Sequence, residues 1–191
     1  MKISLFKPLS FFLTFILLST SELVAQTVKP DMVGVSINNS FAQEFLPKWQ
    51  RARDYTIKVA ELMPEEHYDF KVTEDIFSFR EQLQHITRNF SSLQYYITGE
   101  RKNPLADTNF ENMSKKEIIK SLKNGFSFIE GLLNKTNDAD ASQEVNFFAR
   151  DVYMTKKGVF ELLRNHVTHH RGQAIIYLRL QGIKPPRYVG W

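Results

Sequence analysis

The sequence predicts an all-α protein built as a four-helix bundle, with a short β-hairpin or irregular cover before the last helix. Four segments of roughly twenty residues carry apolar side chains at helical spacing. Three of these segments begin with a Ser-x-x-Glu or Ser-x-x-Gln pattern, which is typical of a helix-capping box. Periodicity and end signals therefore agree on helices that pack side by side.

The composition allows one ordinary globular domain. Of 191 residues, 42% are hydrophobic and 24% are charged, and the formal net charge is +4. The charges are mixed along the chain without a clustered basic face, so we expect no nucleic-acid partner. The chain has no cysteine, which excludes disulfides and thiolate ligands. Any metal site must therefore use histidine, aspartate or glutamate.

Residues 1–25 have the three-part pattern of a secretory signal peptide. Lys2 and Lys7 give a positive start, the apolar stretch Leu9–Leu18 follows, and Ala25 ends a plausible cleavage site. That stretch is shorter than the roughly 20 residues that a spanning helix needs. We therefore expect cleavage, and an uncleaved N-terminal membrane anchor is the alternative.

Signal cleavage would deliver a periplasmic or secreted protein with no stable membrane insertion. Residues 26–39 (QTVKPDMVGVSINN) lack a helical pattern and are predicted to be a linker. The helical domain is then expected to occupy residues 40–191.

The first helix is predicted over Phe41–Met63, with a single narrow apolar stripe. Ser40 and Gln43 form a capping-box pattern at its start. Pro47 is expected to kink this helix or to move its true start later, and Pro64 ends it.

The second and third helices are predicted over Phe79–Ile97 and Lys115–Asn134. Capping boxes begin at Ser78 and Ser114. Gly125 lies in the middle of the third helix, where it costs helix stability but permits a close helix approach.

The fourth helix is predicted over Lys157–Leu180, with Gly182 at its C-terminal cap and Pro185 shortly after. Before it, the run Glu144–Met154 is rich in β-branched and aromatic residues, which favours a short hairpin or cover.

Histidines carry the strongest chemical signal. The chain has five, namely His67, His85, His166, His169 and His170. On a helical wheel His166 and His170 lie one turn apart at the inner edge of the buried face, whereas His169 points toward solvent. Residues four apart have Cβ atoms about 6 Å apart, so both imidazoles can reach one ion at about 2.0–2.1 Å.

Two ligands rarely suffice, and the natural third candidate is His85 on the second helix, with His67 in a loop as a weaker one. His85 lies off the main apolar stripe, so its face must line a wet cleft if it binds metal. That face also carries Gln82, Asn89, Ser92 and Tyr96. The alternative without metal is a buried histidine pair. Its hydrogen-bond partners would be Tyr153, Tyr177 or Gln173.

Two stretches resemble the DinB/YfiT-like family. They are FREQLQHI at residues 79–86 and the more specific NHVTHHRGQAIIYLRLQGIKPP at residues 165–186. The resemblance covers about Phe41 to Pro186. It implies a four-helix bundle that holds a divalent metal, often zinc or nickel, through three histidines.

Carried over by position, the family's ligands correspond to His85, His166 and His170. His169 and Arg171 match motif positions that are not ligands. The resemblance also implies that homodimers are common and that several relatives are metal-dependent transferases using low-molecular-weight thiols. The family name refers to DNA damage induction and does not imply DNA binding.

Three functional hypotheses follow. The first is a metal-dependent enzyme acting on a small molecule, either a thiol-dependent transferase or a hydrolase, because three neutral imidazoles leave a coordination position open. The second is a non-catalytic metal- or ligand-binding module. The third is a structural or interaction domain with incidental histidines.

Overall fold

The computed structural model describes residues 40–148 and 151–189. The predicted signal peptide (1–25) and linker (26–39) lie outside the described residues. Within the described part of the chain, no helix is both long enough and apolar enough to cross a membrane.

The structure is a helical bundle with one small hairpin, as the sequence predicts. In chain order the elements are α1 (Ser40–Leu62), a 3₁₀ turn (Glu65–His67), α2 (Phe79–Leu93), α3 (Tyr95–Thr98), α4 (Lys115–Lys135), α5 (Asp138–Ala141), β1 (Glu144–Phe147), β2 (Val152–Thr155) and α6 (Lys156–Leu180). The two strands are antiparallel, with Glu144 opposite Thr155.

The four long helices form two antiparallel pairs. In the first pair, the start of α1 lies beside the segment after α4, and the Lys115 ammonium at the start of α4 donates to the Glu61 carbonyl oxygen near the end of α1 (2.7 Å). In the second pair, the Tyr177 hydroxyl on α6 donates to the Phe77 carbonyl oxygen just before α2 (2.7 Å). The four-helix architecture predicted from the sequence is therefore confirmed.

The two pairs are joined through parallel contacts. Phe45 on α1 contacts Phe160 near the start of α6, and Ala52 accepts a hydrogen bond from Arg171 farther along α6. Helix α2 runs parallel to α4 in the same way. The bundle thus has an up-down-down-up order, and residues 99–114 return the chain along the bundle between α2 and α4.

The middle of the core is aromatic. The buried rings of Trp49, Phe90 and Phe126 lie 5.1–5.4 Å apart between centroids. Gly125 makes this packing possible, because a Cβ added there would lie 2.8 Å from Phe90 Cδ2. The predicted close helix approach at Gly125 is confirmed.

The capping boxes predicted at Ser78 and Ser114 are both formed. Helix α1 begins differently, because Ser40 is itself its first residue. The Asp138 carboxylate accepts hydrogen bonds from the Ser40 N–H (2.9 Å) and the Phe41 N–H (3.0 Å). A side chain distant in sequence therefore satisfies the first turn of α1, where a local capping box was predicted.

Two helix boundaries also differ from the prediction. The predicted second helix is divided at Gln94 into α2 and α3, and α3 ends at Gly99 with φ +77°. Pro47 lies inside α1, which starts before it and continues past it. Pro47 therefore does not delay the start of the helix.

Candidate metal centre

The antiparallel packing of α2 against α6 brings His85, His166 and His170 together. One ring nitrogen of each lies within 4.8 Å of those of the other two. The His166 and His170 Nε2 atoms are 3.1 Å apart. Tetrahedral ligands at about 2.1 Å from an ion lie roughly 3.4 Å apart, so the spacing is suited to one metal ion.

Two residues of the polar face of α2, Gln82 and His85, face the histidines of α6. The His85 ring centroid lies 5.0 Å from that of His166 and 4.6 Å from that of His170. His67 is exposed on the 3₁₀ turn and does not belong to the cluster. His169 is exposed and also lies outside the cluster, with its ring centroid 4.9 Å from that of His170.

Gln82 determines how His170 presents its ring. Its side chain is buried, and its Oε1 lies 2.6 Å from His170 Nδ1. An amide oxygen can only accept, so His170 Nδ1 carries the proton and Nε2 keeps its lone pair. That lone pair points into the cluster. The sequence placed Gln82 on the face of His85, but helical spacing alone gave it no role.

The proton positions fit a cation between the rings. With the His170 Nε2 lone pair fixed, His166 Nε2 must donate its hydrogen to it when no ion intervenes. This tautomer leaves His166 Nδ1 as a buried acceptor, and that atom has no hydrogen-bond partner within the described structure. A bound metal ion would replace this contact between the two rings, because both Nε2 lone pairs would then face the ion and the His166 proton would lie on Nδ1.

The pKa of each of the three imidazoles is lowered. Burial lowers the pKa of His166 to about 4 and that of His170 to about 3, and repulsion between the rings adds to both effects. The pKa of His85 is lowered by burial and then by Arg88. The rings are therefore neutral at pH 7, which is the protonation state that metal ligation requires.

The partners proposed for a metal-free histidine pair act elsewhere. Tyr177 donates its hydroxyl to the Phe77 carbonyl oxygen, and Tyr153 is exposed in β2 beside Asn146. Gln173 is exposed on α6. The metal-free alternative therefore lacks all three predicted partners, and His170 instead donates to Gln82, which was not predicted.

Phe77 is a neighbour of the cluster that sequence reasoning missed. Its ring centroid lies 5.2 Å from His85 and 6.4 Å from His170. The residue precedes the Ser78 cap and falls outside the helical pattern. No sequence signal marked it, because its position depends on how α2 packs against α6.

Two solved structures have a similar fold. The crystal structure of a DinB-like protein, YjoA, from Bacillus subtilis aligns with a TM-score of 0.61 and 22% identity, covering 78% of this chain and 96% of that one. A DinB-like protein from Bacillus cereus ATCC 10987 aligns with a TM-score of 0.63 and 22% identity, covering 77% of this chain and 97% of that one. These similarities establish the fold.

Sequence comparison leads to the same group. The uncharacterized protein YjoA of Bacillus subtilis strain 168 is 23% identical over 133 residues, which cover 68% of this chain and 84% of YjoA. The sequence model of the DinB family matches residues 36–190, which is most of the chain. The resemblance seen in the two histidine-bearing stretches is thus confirmed, and the chain belongs to the DinB family.

Proposed function

We propose that this protein binds one divalent transition metal ion, zinc or nickel, through His85, His166 and His170, and that it is a metal-dependent enzyme. The observation that carries the proposal is the convergence of three neutral ring nitrogens within 4.8 Å of one another. Three protein ligands leave a coordination position for a substrate, which is typical of catalytic sites.

The residues around the cluster support this role. When bound, the ion would supply Lewis acidity toward a water or thiol, which fits a hydrolase or a thiol-dependent transferase acting on a small molecule. Gln82 accepts a hydrogen bond from His170 Nδ1, which fixes the ring orientation and the tautomer. One ligand is therefore already oriented before an ion binds. Burial keeps the imidazoles neutral and ready to bind.

A non-catalytic metal- or ligand-binding module is the second candidate. The cluster found among the described residues consists of histidines and includes no carboxylate. A general base for water activation is therefore not supplied by the cluster itself, which favours simple binding. Product formation from thiol-transfer or hydrolysis substrates, lost on chelation and in His170→Ala, would separate the enzyme from the module.

The cellular setting and assembly belong to the same proposal. The pattern of residues 1–25 supports a cleaved signal peptide and a periplasmic or secreted protein, with an N-terminal membrane anchor as the alternative. The family resemblance supports a homodimer. We propose no nucleic-acid partner, because the charges form no clustered basic face.

Metal content tests the central claim. We would purify the protein without a histidine tag, reconstitute it with zinc or nickel, and measure bound metal by elemental mass spectrometry. We expect about one equivalent, lost in His166→Ala and His170→Ala. His169→Ala is the matched control on the same helix and should retain the metal. A parent protein that stays metal-free after reconstitution would contradict the proposal.

A further inference from the structure

One side of the histidine cluster is an exposed aromatic surface formed by Phe77. This side chain is 44% exposed, although its ring lies 5.2 Å from His85 and 6.4 Å from His170 between centroids. The Phe77 and His170 ring planes are inclined by only 24°. A large apolar surface therefore remains free directly beside two of the proposed ligands.

The position of Phe77 is fixed by its neighbours. The buried Tyr177 donates its hydroxyl to the Phe77 carbonyl oxygen at 2.7 Å. The next residue, Ser78, is the N-cap of α2, and its side chain accepts from the Glu81 N–H. Because the Phe77 carbonyl and the next residue are both held, the backbone that carries the ring needs little ordering before a ligand contacts it.

Within residues 40–148 and 151–189, no carboxylate is among the groups that shift the pKa values of the three imidazoles. Besides one another, the groups that act on the three imidazoles are Arg88 and His169. A divalent ion held by three neutral ligands keeps its full charge, since no carboxylate in the cluster offsets it. The open coordination position therefore favours an anionic donor over a neutral one.

From these observations we propose that the metal centre selects small anionic ligands with an apolar body, and that Phe77 is the specificity-determining residue. The anionic donor binds the ion, and the apolar body packs on the Phe77 ring. Carboxylates and thiolates share this chemistry. The inference rests on metal binding as proposed above, but it does not depend on catalysis.

The test uses the purified protein loaded with Co²⁺, whose visible absorption changes when a ligand binds. Two pairs of probes differ by a ring: acetate with phenylacetate, and methanethiol with benzyl mercaptan. We expect the ring-bearing member of at least one pair to bind about five- to tenfold more tightly, as aromatic packing allows. The pair with the larger difference identifies the preferred donor. The neutral phenylacetamide should bind more weakly than phenylacetate.

Variants assign the preference to Phe77. Phe77→Ala should reduce the ring preference to below about twofold, while acetate binding changes little. Phe77→Leu keeps an apolar side chain and should retain part of the preference. Phe148→Ala removes another exposed ring, 57% exposed on the hairpin, and is the matched control. Circular dichroism checks that each variant is folded.

The outcomes separate this inference from the metal proposal. If the parent binds cobalt but shows no ring preference in either pair, or if Phe77→Ala keeps the full preference, the role of Phe77 is wrong while the metal site stands. Equal binding of phenylacetamide and phenylacetate would overturn the selection for anions. A parent that binds no cobalt overturns both proposals.

Discussion

The α1–α4 pair and the α2–α6 pair have the same antiparallel geometry but use polar side chains in different ways. Across α1–α4, the Trp49 indole donates to the Phe126 carbonyl oxygen at 3.1 Å, and Arg53 pairs with Glu130 at 3.0 Å. Donors there meet acceptors, and a cation meets an anion. Across α2–α6, three imidazoles of the same kind face one another.

This difference separates a structural interface from a functional one. Complementary groups stabilise an interface without further help. Burial lowers the pKa values of His166 and His170, and repulsion from the neighbouring imidazoles lowers them further. Such an arrangement costs stability unless another species binds it. The α2–α6 interface therefore has polar groups without complementary partners, as a binding site requires. Four predictions test this difference between the two interfaces.

The largest expected effect lies on the α1–α4 side. Trp49→Ala removes a fully buried ring and its hydrogen bond to Phe126, so we expect a loss of about 3–5 kcal/mol in the free energy of unfolding. Urea denaturation measures it. Metal content per folded molecule should stay unchanged. Leu180→Ala, at a 54% exposed position, is the control and should cost little. A folded Trp49→Ala protein that cannot bind metal would contradict the separation of roles.

The next effect lies on the α2–α6 side and concerns affinity. Gln82→Leu removes the acceptor that orients His170, so we expect about a 10- to 100-fold loss of metal affinity in chelator competition. Gln84→Leu is the matched control, because Gln84 is equally buried on α2 but donates to the Phe110 carbonyl oxygen. It should reduce stability and leave affinity intact. Equal metal affinities in the two variants would show that Gln82 does not contribute to metal binding.

The metal-free protein should lose stability in mild acid. The folded pKa values of His166 (about 4) and His170 (about 3) lie below the ordinary value of 6.5, so their contribution is full above pH 6.5 and is lost as pH falls toward the folded values. Between pH 7.5 and 5.5 we expect a decrease on the order of 1–2 kcal/mol, from urea midpoints.

A variant tests whether the cluster causes this acid sensitivity. His166→Asn should flatten the pH dependence, because the unfolded chain then has one fewer imidazole to protonate. The exposed His67 provides the matched control substitution, His67→Asn. An identical slope in the parent and His166→Asn would show that other groups dominate the acid response.

The smallest effect concerns the contact between α2 and α4. Gly125→Ala brings a methyl group 2.8 Å from Phe90 Cδ2, and that ring is already packed against Trp49. Overpacking should outweigh the gain in helix propensity and leave a net loss of about 1 kcal/mol. Gly131→Ala on the same helix has open space and should be neutral or stabilising. Thermal unfolding compares the two, and a stabilised Gly125→Ala would contradict the packing argument.

Local rules predicted most of the fold. The Ser78 and Ser114 capping boxes depend on a few neighbouring residues, so the sequence reveals them directly. The break at Gln94 was missed, because the apolar pattern continues across it. The cap that Asp138 provides for α1 could not be predicted, since it joins residues 97 and 98 positions apart.

In the candidate site, too, local spacing predicted some residues, whereas others depend on how the helices pack. His166 and His170 are neighbours on one helix, so their spacing was sufficient to predict that they converge. His85 was the natural third candidate on the second helix, but its position off the apolar stripe left its role open, and the family resemblance supported it. Gln82 and Phe77 act through the register of α2 against α6, and that register is a tertiary property which periodicity does not encode.

The separation in sequence between the two halves of the site has a consequence for assembly. Gln82 and His170 are 88 positions apart, and α6 is synthesised after α1, α2 and α4. Contacts this distant form late, after the intervening loop has been closed. An ion that needs all three rings can then bind only the completed bundle, and by mass action it favours that state over any form in which α6 is detached. Under the proposed function, a bound metal ion would stabilise α6 in its packed position and so protect this helix from proteolysis.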